Sequence, residues 1–238
     1  MGQARERHRR LRRSREDIRE RLLDAALVEF GAKGFDGAST RAIAERIDAH
    51  QPQIHYHFES KEALWRAAVD HLFAELGRAM EGLDFGADPA RTTAVDALAD
   101  GFAELIRRFV RFAAERPELN QIMVHEATAK SERLRWMTDR HVRPLYDTVR
   151  VLWRRLREAE IAAPIDDAVF HYVLVGAASL PYVNAPEARL LTGAEPTDRA
   201  WVERHADGLV ATYLPNRSRS CRGEPPARRR RRRTRRCS

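Results

Sequence analysis

The chain has 238 residues, 43% of them hydrophobic, which suits one large or two small domains with a real core. Both cysteines, Cys221 and Cys237, lie in an arginine-rich carboxyl end, and no apolar segment follows the amino-terminal arginines, so a disulfide framework and a secretory signal are excluded. The most apolar window, residues 168–183, is interrupted by His171 and Pro181 and falls short of a membrane span, so we expect a soluble, cytoplasmic protein.

Charge is distributed unevenly along the chain. The formal net charge is +8, yet residues 1–15 carry +6 and residues 215–238 carry +10, which leaves −8 for residues 16–214. Basic ends on an acidic body indicate contact with a polyanion at the ends. A solvated tail without a specific role explains the carboxyl-terminal run equally well. We expect residues 1–14 to form a flexible basic arm and residues 215–238 a disordered arginine-rich tail.

The first predicted helix runs over about residues 15–33. Its apolar residues recur every four positions, at Ile18, Leu22, Ala26 and Phe30. Gly34 is placed to end this helix, and Phe35 is expected to pack back under the segment that follows.

Residues 39–58 predict two short helices joined by a tight turn at 48–50. Ile43, Ala44 and Ile47 mark the first of these helices, with Ser39 or Thr40 as its amino-terminal cap. The second starts no later than Pro52, because proline is tolerated in a first helical turn but not inside a helix. With Ile54 and Phe58 facing inward, the side chains left pointing mostly outward are Gln51, Gln53, His55 and Tyr56. This pattern is typical of a helix-turn-helix.

The rest of the chain also reads as helical, without the alternation that is typical of strands. A fourth helix is predicted from near Glu62 to about Leu83, and glycine and proline break it at residues 82–89. Further helices are expected over 94–115, about 117–129, 131–160 with a bend or break at Pro144, 166 or 167 to about 184, and 198–214. A loop containing Pro186, Gly193 and Pro196 is expected before the last helix.

Several marks in the right order then point to a family. They are Phe30, the Gly34-Phe35 pair, Ile43-Ala44, the aromatic residues Tyr56 and Phe58, and Ser60-Lys61-Glu62 before Leu64. Over about residues 16–70 the chain resembles the DNA-binding region of the tetracycline-repressor (TetR) family. It departs from that pattern at Asp48, where the family usually has glycine, at His50, where a serine or similar cap is common, and at His55, where tyrosine is usual. Aspartate tolerates left-handed backbone, so the turn is expected to survive.

The resemblance implies an all-α fold with two domains. An N-terminal three-helix helix-turn-helix DNA-binding domain is expected at 15–61, and a C-terminal helical ligand-binding and dimerisation bundle at 62–214. Similar proteins dimerise through a four-helix bundle made from their last two helices, and a symmetric dimer would read a palindrome with two recognition helices one turn of DNA apart.

The candidate DNA-binding residues lie around the second short helix. Glutamine can pair with adenine through two hydrogen bonds, and Gln51 and Gln53 sit where a recognition helix would meet the major groove, with Arg41 nearby. By resemblance, Thr40, Tyr56 and Lys61 hold phosphates, and His55 replaces a phenol there. Which of Gln51, Gln53 and His50 touches a base stays open.

Metal and catalytic sites are not expected. His50, His55, His57 and His71 invite a metal reading, but residues two apart point about 200° apart around a helix, so His55 and His57 cannot chelate one ion. His125-Glu126 with His141 is the other cluster that suggests chemistry, yet no HExxH, paired CxxC, GxSxG, GxGxxG or phosphate-binding loop accompanies it. We expect no cofactor and no enzyme activity.

Large apolar groups recur on several helices of the C-terminal region. They indicate either a packed bundle core or, in part, a cavity between helices that takes a small-molecule effector. The candidate cavity residues are Phe102, Phe109, His125, Trp136, Met137, Tyr146, Trp153 and Tyr172. Glu126, Arg140 and His141 are further polar groups that could orient a ligand.

The last two predicted helices are apolar around much of their girth, and Gly176-Ala177 would let helices approach closely. The candidate dimer residues are Phe170, Val173, Ala177, Leu180, Trp201, His205 and Leu209. The sequence therefore favours a homodimeric, effector-responsive regulator that binds double-stranded operator DNA, most simply a repressor. The alternatives are a non-specific nucleic-acid binder led by the arginine-rich tail and an enzyme that uses His125 and Glu126.

Overall fold

In this computed structural model the backbone is described for residues 2–85 and 94–217, and the side chains for residues 16–85 and 95–217. Within these ranges the chain forms helices and no strand, so the predicted all-α fold is confirmed. The helices are α1 Gly2–Gly37, α2 Thr40–Glu45, α3 Gln51–His57, α4 Lys61–Ala79, α5 Ala94–Glu115, α6 Glu118–Ala129, α7 Glu132–Met137, α8 Arg143–Glu158, α9 Asp167–Val183, α10 Ala185–Thr192 and α11 Arg199–Tyr213. A π-helical turn, Thr138–Val142, joins α7 to α8.

Side-chain caps set several of the helix starts. Ser39, Ser60 and Ser131 each accept a hydrogen bond from the backbone N–H three residues later, and so begin α2, α4 and α7. Asp166 caps α9 in the same role. The sequence left two possible caps for α2 and for α9, and the structure selects Ser39 over Thr40 and Asp166 over Asp167.

Four boundaries differ from the sequence expectation. Helix α1 starts at Gly2 rather than near residue 15, so residues that were expected to form a flexible arm are helical. Its helical backbone angles are interrupted at Gly34 (φ 68°, ψ 176°), where the sequence predicted its end, and one further turn follows to Gly37. Helix α4 ends at Ala79 rather than near Leu83. The expected loop after residue 184 contains α10, which Pro186 starts from within its first turn. The stretch 131–160 is interrupted by the π-helical turn just before Pro144.

Two hydrophobic clusters hold the molecule together. The first unites α1 to α4 with side chains from α5, α6 and α7, namely Phe112, Ile122 and Met137. The second unites α5, α8, α9 and α11, and its centre is the stack of Trp153 on Phe170, whose ring centroids lie 3.6 Å apart. The first cluster therefore spans the helix-turn-helix and part of the C-terminal bundle, while the second belongs to the bundle alone.

Helices α9 and α10 differ sharply in direction, by 79°. Among the described helices, none is by itself long and apolar enough to cross a membrane, and this bent pair meets that criterion only when its two helices are taken together. The predicted tail falls almost entirely outside the described residues, which end at Arg217.

Candidate DNA interface and effector cavity

Helices α2 and α3 form a helix-turn-helix with one exposed face. The turn between them passes through Asp48 at φ 55°, so aspartate adopts the left-handed backbone as expected. Ile54 and Phe58 fix α3 to the first cluster, which leaves Gln51, His55 and Tyr56 exposed on the opposite face. Tyr56 keeps 66% of its surface exposed. This exposed face presents amide, imidazole and phenol groups at the position of a recognition helix.

Several of the predicted DNA-binding side chains already have partners. Gln53 accepts a hydrogen bond from the His50 backbone N–H (3.1 Å) and so closes a capping box at the start of α3. Arg41 pairs with Glu45 one turn along α2 (2.8 Å), and this contact raises the pKa of the Arg41 guanidinium. Lys61 donates to the Asp36 carbonyl (3.4 Å) and lies over the Phe35 ring. Thr40 is the first residue of α2 and is half-buried.

A buried carboxylate that sequence reasoning missed supports this unit. Glu29 of α1 is fully buried and accepts hydrogen bonds from Lys33 (2.7 Å), the Ser39 backbone N–H (3.3 Å) and Arg46 (3.4 Å). Burial alone would raise its pKa, but these bonds outweigh burial and lower it. Glu29 therefore stays ionised, and it connects α1 to both ends of α2 through Ser39, which precedes α2, and Arg46, which follows it.

Polar contacts join α1 to the C-terminal bundle. One Arg116 nitrogen at the end of α5 bridges Asp24 of α1 (2.9 Å) and Glu75 of α4 (2.8 Å). His125 of α6 contacts the Gly31 carbonyl with its Nε2 (3.1 Å), and the Arg133 guanidinium lies 3.7 Å from the centre of the Phe35 ring. The helix-turn-helix is thus fastened to α5, α6 and α7 through its own first helix.

A second connection joins α4 to the π-helical turn. Asp70 of α4 accepts hydrogen bonds from Arg140 (2.7 Å) and from Nε2 of His141 (2.8 Å). The His141 ring also stacks on Phe73, with ring centroids 4.5 Å apart and an angle of 7° between the ring planes. Burial lowers the pKa of His141, although Asp70 partly offsets it. Helix α4 is therefore held at its middle by a turn of the bundle.

A cavity lies directly beside this connection. It has an empty volume of about 480 Å³, which includes the solvent at its mouth. Phe73 and Leu76 of α4 form one wall, and Phe109 of α5 with Leu119, Asn120 and Met123 of α6 form another. The remaining lining side chains are Val142, Leu145, His171, Val175 and Ser179. Helix α4 thus touches the cavity at one end and leads to α3 at the other.

Comparison with known proteins identifies the amino-terminal region. Residues 22–68 match the bacterial regulatory proteins of the tetR family. The amino-terminal domain belongs to the TetR family. Within it the chain is 39% identical over 54 residues to the tetracycline repressor protein class A from transposon 1721 of Escherichia coli, and 27% identical over 56 residues to the IcaR negative regulator of the biofilm operon in Staphylococcus epidermidis. These matches cover 23% and 24% of this chain and only 25% and 30% of the two relatives.

Solved structures extend the TetR-like fold over most of the chain. The complex of AibR with isovaleryl coenzyme A and operator DNA superposes with a TM-score of 0.62 at 17% identity, covering 83% of this chain and 98% of AibR. A TetR/AcrR-family regulator from Thermobifida fusca gives 0.51 at 22% identity, covering 82% and 97%. At these identities the likeness concerns the fold, which is an N-terminal helix-turn-helix followed by a helical domain.

Of the eight side chains predicted to line an effector cavity, Phe109 lines the one beside α4. Phe102 and Trp153 are fully buried in the second cluster, and Met137 is buried in the first. His125 contacts α1, while Trp136 packs on Trp65 and His141. Tyr146 packs against His171, and Tyr172 is 76% exposed. Six of the eight lie on α5, α6, α8 or α9, which also contribute cavity residues, whereas Trp136 and Met137 lie on α7, which does not; spacing along a helix does not tell which side faces a void.

The predicted dimer residues divide into a buried and an exposed set. Phe170 is buried against Trp153 and is therefore not available to a partner. Trp201 and His205 pack on Tyr182, and Leu209 packs against the second cluster. Val173 and Leu180 are exposed on α9, with Ala177 half-buried between them. Val169 and Tyr172, which the sequence did not single out for this role, extend the same exposed apolar face.

The histidines that the sequence grouped lie in different surroundings, and the Nε2 of His71 is buried without a hydrogen-bond partner among the described residues. His71 lies near Asp24 and Glu75, and the ligand-type atoms of these three residues lie within 4.8 Å of one another, but Arg116 already bridges both carboxylates. His125 and Glu126 point to different partners, because Glu126 is buried against Ser131 and Arg133. The pair therefore does not form an acid–base couple with each other.

Proposed function

We propose that this protein is a homodimeric, effector-responsive regulator that binds operator DNA through α3 and acts as a repressor. The observation that carries the proposal is the double role of α4. Only three residues separate its start from the end of α3, and its Phe73 and Leu76 form a wall of the cavity. A molecule that enters the cavity must therefore contact the helix on which the recognition unit rests.

The DNA contacts follow from the exposed face of the helix-turn-helix. Gln51 points outward at the first turn of α3 and makes no hydrogen bond within the described residues, so its amide is free to pair with a base edge. His50, His55 and Tyr56 flank it, and Thr40, Arg41 and Lys61 supply phosphate contacts. Gln53 acts through the α3 cap and positions Gln51 rather than reading a base. Arg41 must leave Glu45 in order to reach a phosphate.

Release of the operator follows from population shift. An effector that prefers the conformer with displaced α4 moves the two recognition helices away from their one-turn spacing and weakens DNA binding. A tenfold difference in effector affinity between the two conformers corresponds to about 1.4 kcal/mol of coupling. By reciprocity, operator DNA weakens effector binding by the same factor. AibR, which has a similar fold, was solved in complex with isovaleryl coenzyme A and operator DNA, so this fold accommodates both a small molecule and DNA.

The exposed face of α9 supports dimerisation. Val169, Tyr172, Val173 and Leu180 form a contiguous apolar stripe of the kind that marks an interaction surface. We propose that two copies meet through this stripe together with α11. The role is that of a binding protein and not of an enzyme, and its place is the cytoplasm, where the operator is.

A genome-fragment binding selection at about 150 mM salt tests the proposal, with the full-length chain and a variant ending at residue 217. We expect both proteins to recover the same palindromic motif. Recovery without any motif, lost in the shortened variant, would instead support a non-specific binder led by the arginine-rich tail, because phosphate contacts alone carry no sequence information.

A further inference from the structure

The cavity beside α4 is lined mainly by apolar side chains and by a few polar ones. Most of its lining is apolar, and none of the lining residues is an aspartate, glutamate, lysine or arginine. Three lining side chains are polar: Asn120, His171 and Ser179. None of the three makes a hydrogen bond within the described residues; Asn120 and His171 are half-buried, whereas Ser179 is buried, where most polar side chains are hydrogen-bonded.

Ser179 is the most deeply buried of the three polar side chains that line the cavity. Its residue surface is only 4% exposed, it lines the cavity, and its hydroxyl has no partner among the described residues. A serine inside a helix can satisfy its hydroxyl by bonding a carbonyl one turn back, as Thr148 and Thr192 do. Ser179 forms no such bond. Its oxygen is not fully enclosed, so it is open to a hydrogen bond with a molecule or water in the cavity.

The polar groups are spread along the cavity rather than gathered at one point. His171, Val175 and Ser179 follow each other at intervals of four residues, so they lie on one stripe of α9. At 1.5 Å per residue, the first and the last of them lie about 12 Å apart along the helix axis. Between them the wall is apolar, and it faces Phe73, Phe109 and Met123.

We infer that the effector of this cavity is an uncharged, elongated, mainly apolar small molecule with a hydrogen-bonding oxygen that Ser179, His171 or Asn120 contacts. The inference rests on the proposed function, because it assigns the chemical class of the effector. Burial of a charged head group without an opposite charge costs far more than burial of a hydroxyl or carbonyl, and the lining offers no opposite charge. Burial also lowers the pKa of His171, so its imidazole is neutral near pH 7 and suited to a neutral hydrogen bond.

Three probes with the same eight-carbon chain test this chemistry: 1-octanol, octanoate and octylammonium. Each is titrated into the full-length protein at pH 7.5 without DNA, and binding is followed by calorimetry and by the shift in Tm. We expect 1-octanol to bind more tightly than either ion by at least tenfold. Tighter binding of octanoate or octylammonium, or equal binding of all three, would overturn the inference.

Ser179→Ala is the matched variant, with Thr148→Ala as its control outside the cavity. Ser179→Ala should weaken 1-octanol about two- to tenfold, the worth of one neutral hydrogen bond, and should leave the Tm of the free protein unchanged or higher. Thr148→Ala should leave 1-octanol binding unchanged. A lower Tm of free Ser179→Ala with unchanged 1-octanol affinity would show a structural role for the hydroxyl and contradict the inference.

The same probes separate this inference from the proposed function. If 1-octanol binds as expected but leaves operator affinity unchanged at saturation, the chemistry of the cavity stands and the regulatory role of the cavity fails. If an ion binds best and releases the operator, the regulatory role stands and the assigned effector class fails.

Discussion

His141 donates a hydrogen bond of 2.8 Å from Nε2 to the carboxylate of Asp70, and this bond joins the π-helical turn to the middle of α4. The donor must be Nε2, because an ionised carboxylate can only accept. The His141 ring also stacks on the ring of Phe73, and Phe73 lines the cavity. π-helical turns are rare and often occur at functional sites, which fits a turn that touches both the cavity and α4.

Asp70→Ala should loosen α4 from the π-helical turn without unfolding the protein. The pair is partly exposed, so its loss costs at most about 1 kcal/mol, which corresponds to amide exchange up to about fivefold faster. Hydrogen–deuterium exchange should show this acceleration over residues 67–76 and 138–142. Asp139→Ala is the control, because Asp139 pairs with Arg143 on the same side of the junction. Equal acceleration in both variants would argue against the Asp70 connection.

Glu29→Gln should destabilise the helix-turn-helix strongly. The Glu29 carboxylate is buried while Lys33 and Arg46 are about half exposed, so the loss is that of hydrogen bonds to a buried charged group, about 1.5–3 kcal/mol. Glu45→Gln serves as the matched control: it removes an exposed pair one turn along a helix, worth about 0.3–0.5 kcal/mol. The midpoints of urea unfolding at pH 7 measure both effects. Similar small shifts in the two variants would mean that Glu29 does not anchor the domain.

Lowering the pH should remove the contribution of Glu29 to the free energy of unfolding. The pKa of Glu29 is lower in the folded than in the unfolded protein, so its stabilisation is complete above the unfolded value of about 4.3. It is lost progressively as the pH falls through the lower, folded value. The difference in unfolding free energy between the native protein and Glu29→Gln should therefore be constant from pH 7 to about pH 5 and shrink below that. A difference that grows on acidification would contradict the assignment.

Gly34→Ala should destabilise the junction between α1 and α6. The backbone angles at Gly34 belong to a region that only glycine occupies readily, which costs another residue about 1–3 kcal/mol. A Cβ there would also lie 3.1 Å from Nδ1 of His125. Gly77→Ala, in the open interior of α4, should be stabilising by about 0.5–1 kcal/mol instead. Thermal unfolding of the two variants should shift in opposite directions, and a shared direction would show that Gly34 is not strained.

Leu180→Arg should convert the proposed dimer to a monomer. Leu180 is 59% exposed at the carboxyl-terminal end of the apolar stripe on α9, and a guanidinium there would bring a charge from each copy into the two-fold interface. Leu190→Arg is the control, because Leu190 is 88% exposed on α10, away from the stripe. Sedimentation should give a monomer for the first variant and a dimer for the second. Two dimers would exclude the stripe as the interface.

Features that depend on residues close together in the sequence could be predicted from it, whereas features that depend on distant residues could not. The Asp48 turn, the start of α3 near Pro52 and the Ser39 cap follow from neighbouring residues, and each was predictable. The Asp70–His141 bond joins residues 71 positions apart, and Glu29 gathers partners from three places, so no spacing reveals them. The same limit applies to three residues that were predicted to face a ligand or a partner subunit but are buried in the second cluster: Phe102, Trp153 and Phe170. A helix can present apolar side chains to a core, a cavity or an interface, and only the packing of the whole fold determines which of these a given side chain faces.

The most direct test of the account is the discrimination of operator DNA by Gln51 and Gln53. Binding of the recovered palindrome and of a scrambled duplex is measured at about 150 mM salt for the native protein, Gln51→Ala and Gln53→Ala. We expect Gln51→Ala to lose about 1–3 kcal/mol of discrimination at unchanged stability. Gln53→Ala should lower stability by about 1 kcal/mol through its cap and keep most of the discrimination. Full discrimination by Gln51→Ala at every base pair would contradict the claim that the exposed face of α3 reads the operator.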